Sequence, residues 1–99
     1  MVRSPQCRCP HAQDLFILLG KKWILFIIQA VDQGASTFTE IRRDIGEANT
    51  KILTDRITEL VTSRVLVKQE NGDYALSKMG KDLSTKLVEL SHWWGEQKQ

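Results

Sequence analysis

The stretch from Thr37 to Leu76 constrains this chain most, because it holds two helical segments and a hairpin with almost no chain left to connect them. Thr37 and Glu40 have the spacing of a capping box, with Thr39 as the alternative cap. Ile41 and Ile45 follow one helical turn apart, and Gly46 breaks the pattern. Asn49 is a good N-cap for a second helix over residues 50–63. There Leu53, Ile57, Leu60 and Val61 share one face and leave Lys51, Thr54, Asp55, Thr58 and Thr62 on the other. Val65-Leu66-Val67 is then apolar and β-branched, and Asn71-Gly72 is the strongest two-residue hairpin signal. Pairing across that turn sets Val67 opposite Leu76 and Gln69 opposite Tyr74.

A short helix, a turn of about four residues and a second helix is helix-turn-helix spacing. A hairpin directly behind it makes a wing. The expected fold class is therefore α+β and mostly helical, a winged helix-turn-helix with extra N- and C-terminal helices. The N-terminal helix is expected over 12–19, where Leu15, Phe16, Leu18 and Leu19 cluster before Gly20. A second runs from Lys21 to Asp32, and its middle, Trp23 to Ile28, is apolar all round, which predicts burial from several sides. The last runs from Lys78 to Gln97, with a stripe of Met79, Leu83, Leu87, Leu90 and Trp94 broadened by Val88 and Trp93. Ninety-nine residues allow one core. The domain is expected to span residues 12–99, behind a flexible arm of residues 1–11. So small a core would hardly cover the apolar middle of the second helix, and the terminal helices are expected to form a homodimer interface.

Composition is that of an ordinary globular chain, and the net charge of +2 does not by itself announce a nucleic-acid binder. Between Glu40 and Lys68, six basic residues face five acidic ones, a balance of +1. Any affinity for DNA must then come from where the charges sit. The polar N-terminus carries no signal-peptide core, and the run Trp23 to Ile28 is too short to span a bilayer, so the expectation is a cytoplasmic protein without membrane contact. No phosphate-binding glycine loop, H-E-x-x-H or nucleophile elbow is present, so no enzyme and no cofactor are expected.

On this fold, Thr50, Lys51 and Thr54 open the recognition helix and face the major groove of double-stranded DNA. There lysine donates to guanine and threonine reaches a base, a phosphate or a thymine methyl. Arg56 lies nearer the apolar side. It either extends its head to the groove margin or pairs with Glu59, Asp55 or another carboxylate. Arg42 and Arg43 sit on the preceding helix, which crosses the backbone, and would position rather than specify. A weak wing contact is expected from Lys68, the one basic residue of the hairpin, with the Asn71 amide as a second candidate, since phosphates would repel Glu70 and Asp73 at the tip. Lys21 and Lys22 are expected as flexible surface lysines, with a phosphate contact as the alternative, and Trp23, Trp93 and Trp94 as core or interface residues.

The order of these elements, together with several local motifs, resembles the HxlR family of winged-helix regulators. The matching pieces are Cys9-Pro10, Leu18-Leu19-Gly20-Lys21-Lys22-Trp23, Phe38-Thr39-Glu40-Ile41, Lys51 to Leu60, Tyr74-Ala75-Leu76-Ser77 with Gly80, and Trp94-Gly95. The resemblance implies a homodimer built from the N- and C-terminal helices and DNA binding through the helix over 50–63. It also implies, as in some members, a cysteine of the Cys-Pro pair that senses electrophiles or oxidants. The family's wing is usually longer and contains proline, and proline often follows the recognition-helix cap where this chain has Thr50.

Cys7 and Cys9 carry the other candidate chemistry. Arg3, Arg8 and His11 lie close in sequence and are compatible with a sensor thiol, Cys9 foremost, while an inert pair on the arm is the plainer alternative. A disulfide between them would close a strained ring. With His11 they are three metal-ligand types on one short arm, lacking a fourth, and no metal site is expected. The rival to a DNA-binding regulator is a winged-helix module that binds another protein, which the near-neutral recognition region favours. A small-molecule or oxidant effector remains an expected partner under the regulator reading.

Overall fold

A computed structural model describes residues 10–46 and 48–98. Among the described residues, five helices and one hairpin follow in the order α1 (Pro10–Leu19), α2 (Ile24–Asp32), α3 (Phe38–Asp44), α4 (Thr50–Thr62), β1 (Leu66–Lys68), β2 (Tyr74–Leu76) and α5 (Lys78–Gln97). This is the α+β winged helix-turn-helix order. Cys7 and Cys9 lie outside the described residues.

The core lies between α2, α3, α4 and the hairpin. Ile24, Ile27, Ile41, Leu53, Leu60 and Leu66 are all 0% exposed. Burying an isoleucine or leucine side chain stabilises by about 1.5–3 kcal/mol, so these six are among the main contributors to the fold. The local signals that shape the elements are satisfied. Thr37 Oγ1 accepts from the Glu40 N–H at 3.1 Å, and the Glu40 carboxylate reaches back to the Thr37 N–H, closing the capping box. Asn49 Oδ1 accepts from the Lys51 and Ile52 N–H groups at 2.9 and 3.2 Å. Helix α4 ends through Arg64 in the left-handed region (φ 67), where the Val65 N–H reaches back to the Leu60 carbonyl and turns the chain into the wing.

Several expectations are corrected. Helix α1 starts at Pro10, whose missing N–H suits a first helical position, and not at residue 12. Helix α2 starts at Ile24 and not at Lys21, because Trp23 adopts a left-handed conformation (φ 76) that no helix continues through. The wing register is shifted by one: Leu66 pairs with Leu76, Val67 with Ala75 and Lys68 with Tyr74. A two-residue turn at Asn71-Gly72 would need both residues at positive φ, yet only Gly72 (φ 91) is there. The loop is instead three residues, Glu70 to Gly72, closed by the Gly72 N–H to the Gln69 carbonyl at 2.9 Å and the Gln69 N–H to the Asp73 carbonyl at 2.7 Å. The hairpin is tied back to the body where the Tyr74 N–H donates to the Ser36 carbonyl at 2.7 Å.

The apolar helices are also less covered than expected. In α2, Ile24, Ile27, Ile28, Ala30 and Val31 are buried, but Leu25 and Phe26 are exposed. Along α5 the inward positions are Gly80 and Ser84, flanked by half-buried Leu83 and Leu87, while Met79, Val88, Leu90, Trp93 and Trp94 face out. A methyl group on Gly80 would lie 2.2 Å from the Val65 carbonyl oxygen, so this glycine lets α5 dock on the hairpin. The radius of gyration, 15.0 Å, exceeds the roughly 13 Å of a compact chain of this length.

Candidate nucleic-acid interface

Helix α4 has three sides. Leu53, Ile57 and Leu60 face the core, fully or nearly buried. Thr50, Lys51, Thr54, Asp55, Thr58 and Thr62 are exposed on the opposite side. Arg56 and Glu59, both half-buried, stand on the flank between the two. The structure therefore brings Thr50, Lys51 and Thr54 together at the start of one exposed face, as their spacing predicts. Thr58 continues that face one turn on and was not among the expected site residues, though the same periodicity places it there.

The three arginines differ from one another. Arg42 is half-buried, and its Nε donates to the Ala48 carbonyl at 3.0 Å, so it braces the turn between α3 and α4. Arg43, one position on, is exposed at the end of α3. Arg56 turns away from the exposed face, and its Nε donates to the Lys22 carbonyl at 3.1 Å. It has no ion pair with Glu59 or Asp55. Glu59 pairs with Lys21 instead, which is the one ion pair among the described residues. Lys21, expected as a free surface lysine, is thus committed, and its 38-residue separation from Glu59 left no local signal by which to find it. Lys22 lies over the Trp23 ring, 5.3 Å from its centroid.

On the wing, Lys68 is exposed and its ammonium sits 5.8 Å from the Tyr74 ring centroid. The Asn71 side chain is occupied within the loop, accepting from the Asp73 N–H at 2.9 Å. Among the described residues, Glu40 is the one group whose acidity is clearly displaced. Hydrogen bonds from the Ser36 and Thr37 N–H groups hold its carboxyl below the usual glutamate range, against a small opposing effect of burial. Its charge is therefore turned onto the start of α3.

No helix among the described residues is long and apolar enough to cross a membrane. A groove of about 350 Å³ runs between α2 and α5, lined by Leu25, Phe26, Ser84, Leu87, Val88 and Leu90.

Comparison with known proteins places this geometry. The chain is 30% identical over 91 residues to the HTH-type transcriptional regulator YodB of Bacillus subtilis, covering 86% of this chain and 81% of that protein. It is 28% identical to the regulator YvaP of the same organism, covering 86% and 84%. Among solved structures, quinone-bound YodB superposes with a TM-score of 0.80 at 31% identity, covering 89% of this chain and 99% of that one. Reduced YodB gives a TM-score of 0.75 at 31% identity, covering 86% and 89%. A protein from Thermoplasma volcanium described as a possible HxlR family transcriptional factor gives 0.74 at 27% identity, covering 85% and 81%. The model of the HxlR-like helix-turn-helix matches residues 18–99, nearly the whole described chain, and this protein belongs to that family.

Proposed function

We propose that this protein is a sequence-specific DNA-binding transcriptional regulator that acts as a homodimer, with α4 seated in the major groove. The observation that carries the reading is the exposed start of α4, where Thr50, Lys51 and Thr54 share one face above a buried base. A helix presented this way, followed at once by a wing, matches the docking geometry of helix-turn-helix proteins. Lys51 and Thr54 read bases, Thr50 at the start of α4 favours a phosphate, and exposed Arg43 and Lys68 touch the backbone at either side. Arg42 and Arg56 contribute through the groups they brace. Repression is the simpler mode, since occupying an operator needs no further surface.

The homodimer is supported by the apolar side chains left in water. Leu15, Phe16 and Ile17 of α1, Leu25 and Phe26 of α2, and Leu90, Trp93 and Trp94 of α5 are each at least 40% exposed. So much uncovered apolar surface on a small chain marks an interaction face. A thiol response fits the YodB structures, described as quinone-bound, reduced and diamide-treated, and rests in this chain on Cys9, next to the first residue of α1.

The test is a mobility shift with DNA from upstream of the protein's own gene over a salt series, beside Lys51→Ala and Thr54→Ala. Binding should fall by roughly 0.9 log unit per phosphate contact for each decade of salt, and both variants should weaken it. Absence of binding there, and in a genome-wide fragment selection, would favour the protein-interaction module. For the thiol, Cys9→Ser should keep basal affinity and lose release by a quinone or diamide; a variant that still responds would sink that part.

A further inference from the structure

The turn between α1 and α2 is bonded to the recognition helix at two adjacent points. Lys21 pairs with Glu59, and Arg56 donates to the Lys22 carbonyl at 3.1 Å. Arg56 and Glu59 are three residues apart, so they stand together on one side of α4. That side is neither the buried face nor the face offered to DNA. The turn they grip is itself held in an uncommon shape. Trp23 is at φ 76, which is rare for a bulky residue, and its φ sets the plane of the peptide that carries the Lys22 carbonyl. The turn's own hydrogen bonds, from the Lys21 N–H to Leu18 and from the Ile24 N–H to Lys21, are both 3.2 Å.

These contacts account for a carboxylate on the flank of a DNA-reading helix and for an arginine there that does not face the groove. A free Glu59 would repel phosphates, and a free Arg56 would be drawn to them. Both are instead spent on the α1–α2 turn. We infer that Arg56 and Glu59 are positioning residues for DNA binding: with Lys21 and the Lys22 carbonyl they fix the roll of α4, and they transmit any displacement of α1 to the recognition face. The inference rests on the DNA-binding reading above.

The sign of one substitution separates positioning from simple electrostatics. If Glu59 were only a surface carboxylate, Glu59→Gln would raise DNA affinity or leave it unchanged. As a positioning residue its loss should weaken binding, on the order of two- to fivefold for a half-exposed pair. Lys21→Ala should weaken binding by a similar factor with an unchanged salt slope, whereas a lysine that touches phosphate would lower that slope by about 0.9. The double variant Lys21→Ala/Glu59→Gln should be no weaker than the weaker single one, as expected of residues that act through one contact. Arg56→Lys keeps the charge but loses the planar donor, and should behave like Arg56→Ala. Melting temperatures confirm that each variant is folded, and exchanging the pair, Lys21→Glu with Glu59→Lys, should recover part of the lost affinity. If the unmodified protein binds no DNA in the salt series, the DNA-binding reading falls and takes this inference with it. If it binds and Glu59→Gln does not weaken it, the positioning role alone is overturned.

Discussion

The half of the molecule made of α2, α3, α4 and the hairpin differs sharply from the layer made of α1 and the far end of α5. The first closes on itself: its large side chains reach 0% exposure and its caps are satisfied by neighbours in sequence. In the second, α1 has no buried residue, and Leu90, Trp93 and Trp94 lie more than half exposed. Both regions carry apolar stripes in sequence. The difference teaches that an apolar stripe specifies burial without specifying against what. In the first region the partner is the same chain; in the second the described residues leave the stripe uncovered.

The comparison breaks most visibly in the core. Leu53 is 0% exposed at the base of the recognition helix. Leu53→Ala should lower unfolding free energy by about 3 kcal/mol, the middle of the range for buried leucines. Because its partners are all in the same chain, urea titration should give the same loss at low and high protein concentration. A loss that shrinks on concentration would show that the core half, too, depends on a second copy.

Gly80 joins the two regions, and its substitution should have the next largest effect. The added methyl of Gly80→Ala would meet the backbone oxygen of Val65, which cannot rotate away. Helix α5 must then lift from the hairpin, at about 2 kcal/mol by the usual magnitude of overpacking. Urea titration checks it, and an unchanged midpoint would mean that α5 docks more loosely than the structure shows.

The outer layer should respond in the opposite sense. Leu90→Glu and Phe16→Glu alter residues 57% and 67% exposed, so they should change the single-chain stability by less than about 0.5 kcal/mol. They should nevertheless convert dimer to monomer in sedimentation velocity. Variants that remain dimeric would move the interface away from α1 and α5.

How much of this was legible in the sequence follows the same division. The capping box at Thr37 and Glu40, the Asn49 cap and the inward face of α4 rest on contacts three or four residues apart, and the sequence displays such contacts directly. The wing register was missed by one because Asn-Gly signals a turn without fixing whether Asn71 shares the left-handed conformation of Gly72. The start of α2 was missed because nothing marks Trp23, an aromatic residue, for a positive φ. At the candidate site, the exposed trio Thr50, Lys51 and Thr54 followed from periodicity. The bonds of Arg56 to Lys22 and of Glu59 to Lys21 did not, since they join residues 34 and 38 positions apart and depend on how α1 and α2 turn.

The smallest expected effect lies at the start of α3, where a local signal can be titrated. The Glu40 carboxylate accepts from the Ser36 and Thr37 N–H groups, which lowers its pKa in the folded protein. A group whose folded pKa lies below its unfolded value binds protons more weakly when folded, so it stabilises the fold when ionised. That contribution is complete above the ordinary glutamate range and is lost as pH falls through the lowered folded value. Glu40→Gln keeps a side-chain oxygen for the capping box but cannot titrate. The unmodified protein should therefore exceed the variant in stability at neutral pH, and the gap should close on acidification below about pH 4.5. Thermal melts of both proteins between pH 3 and pH 7 would show it. A gap that stays constant across that range would mean that the capping box holds α3 equally well with the carboxyl protonated, and that the N-terminus of α3 owes its stability to geometry and not to charge.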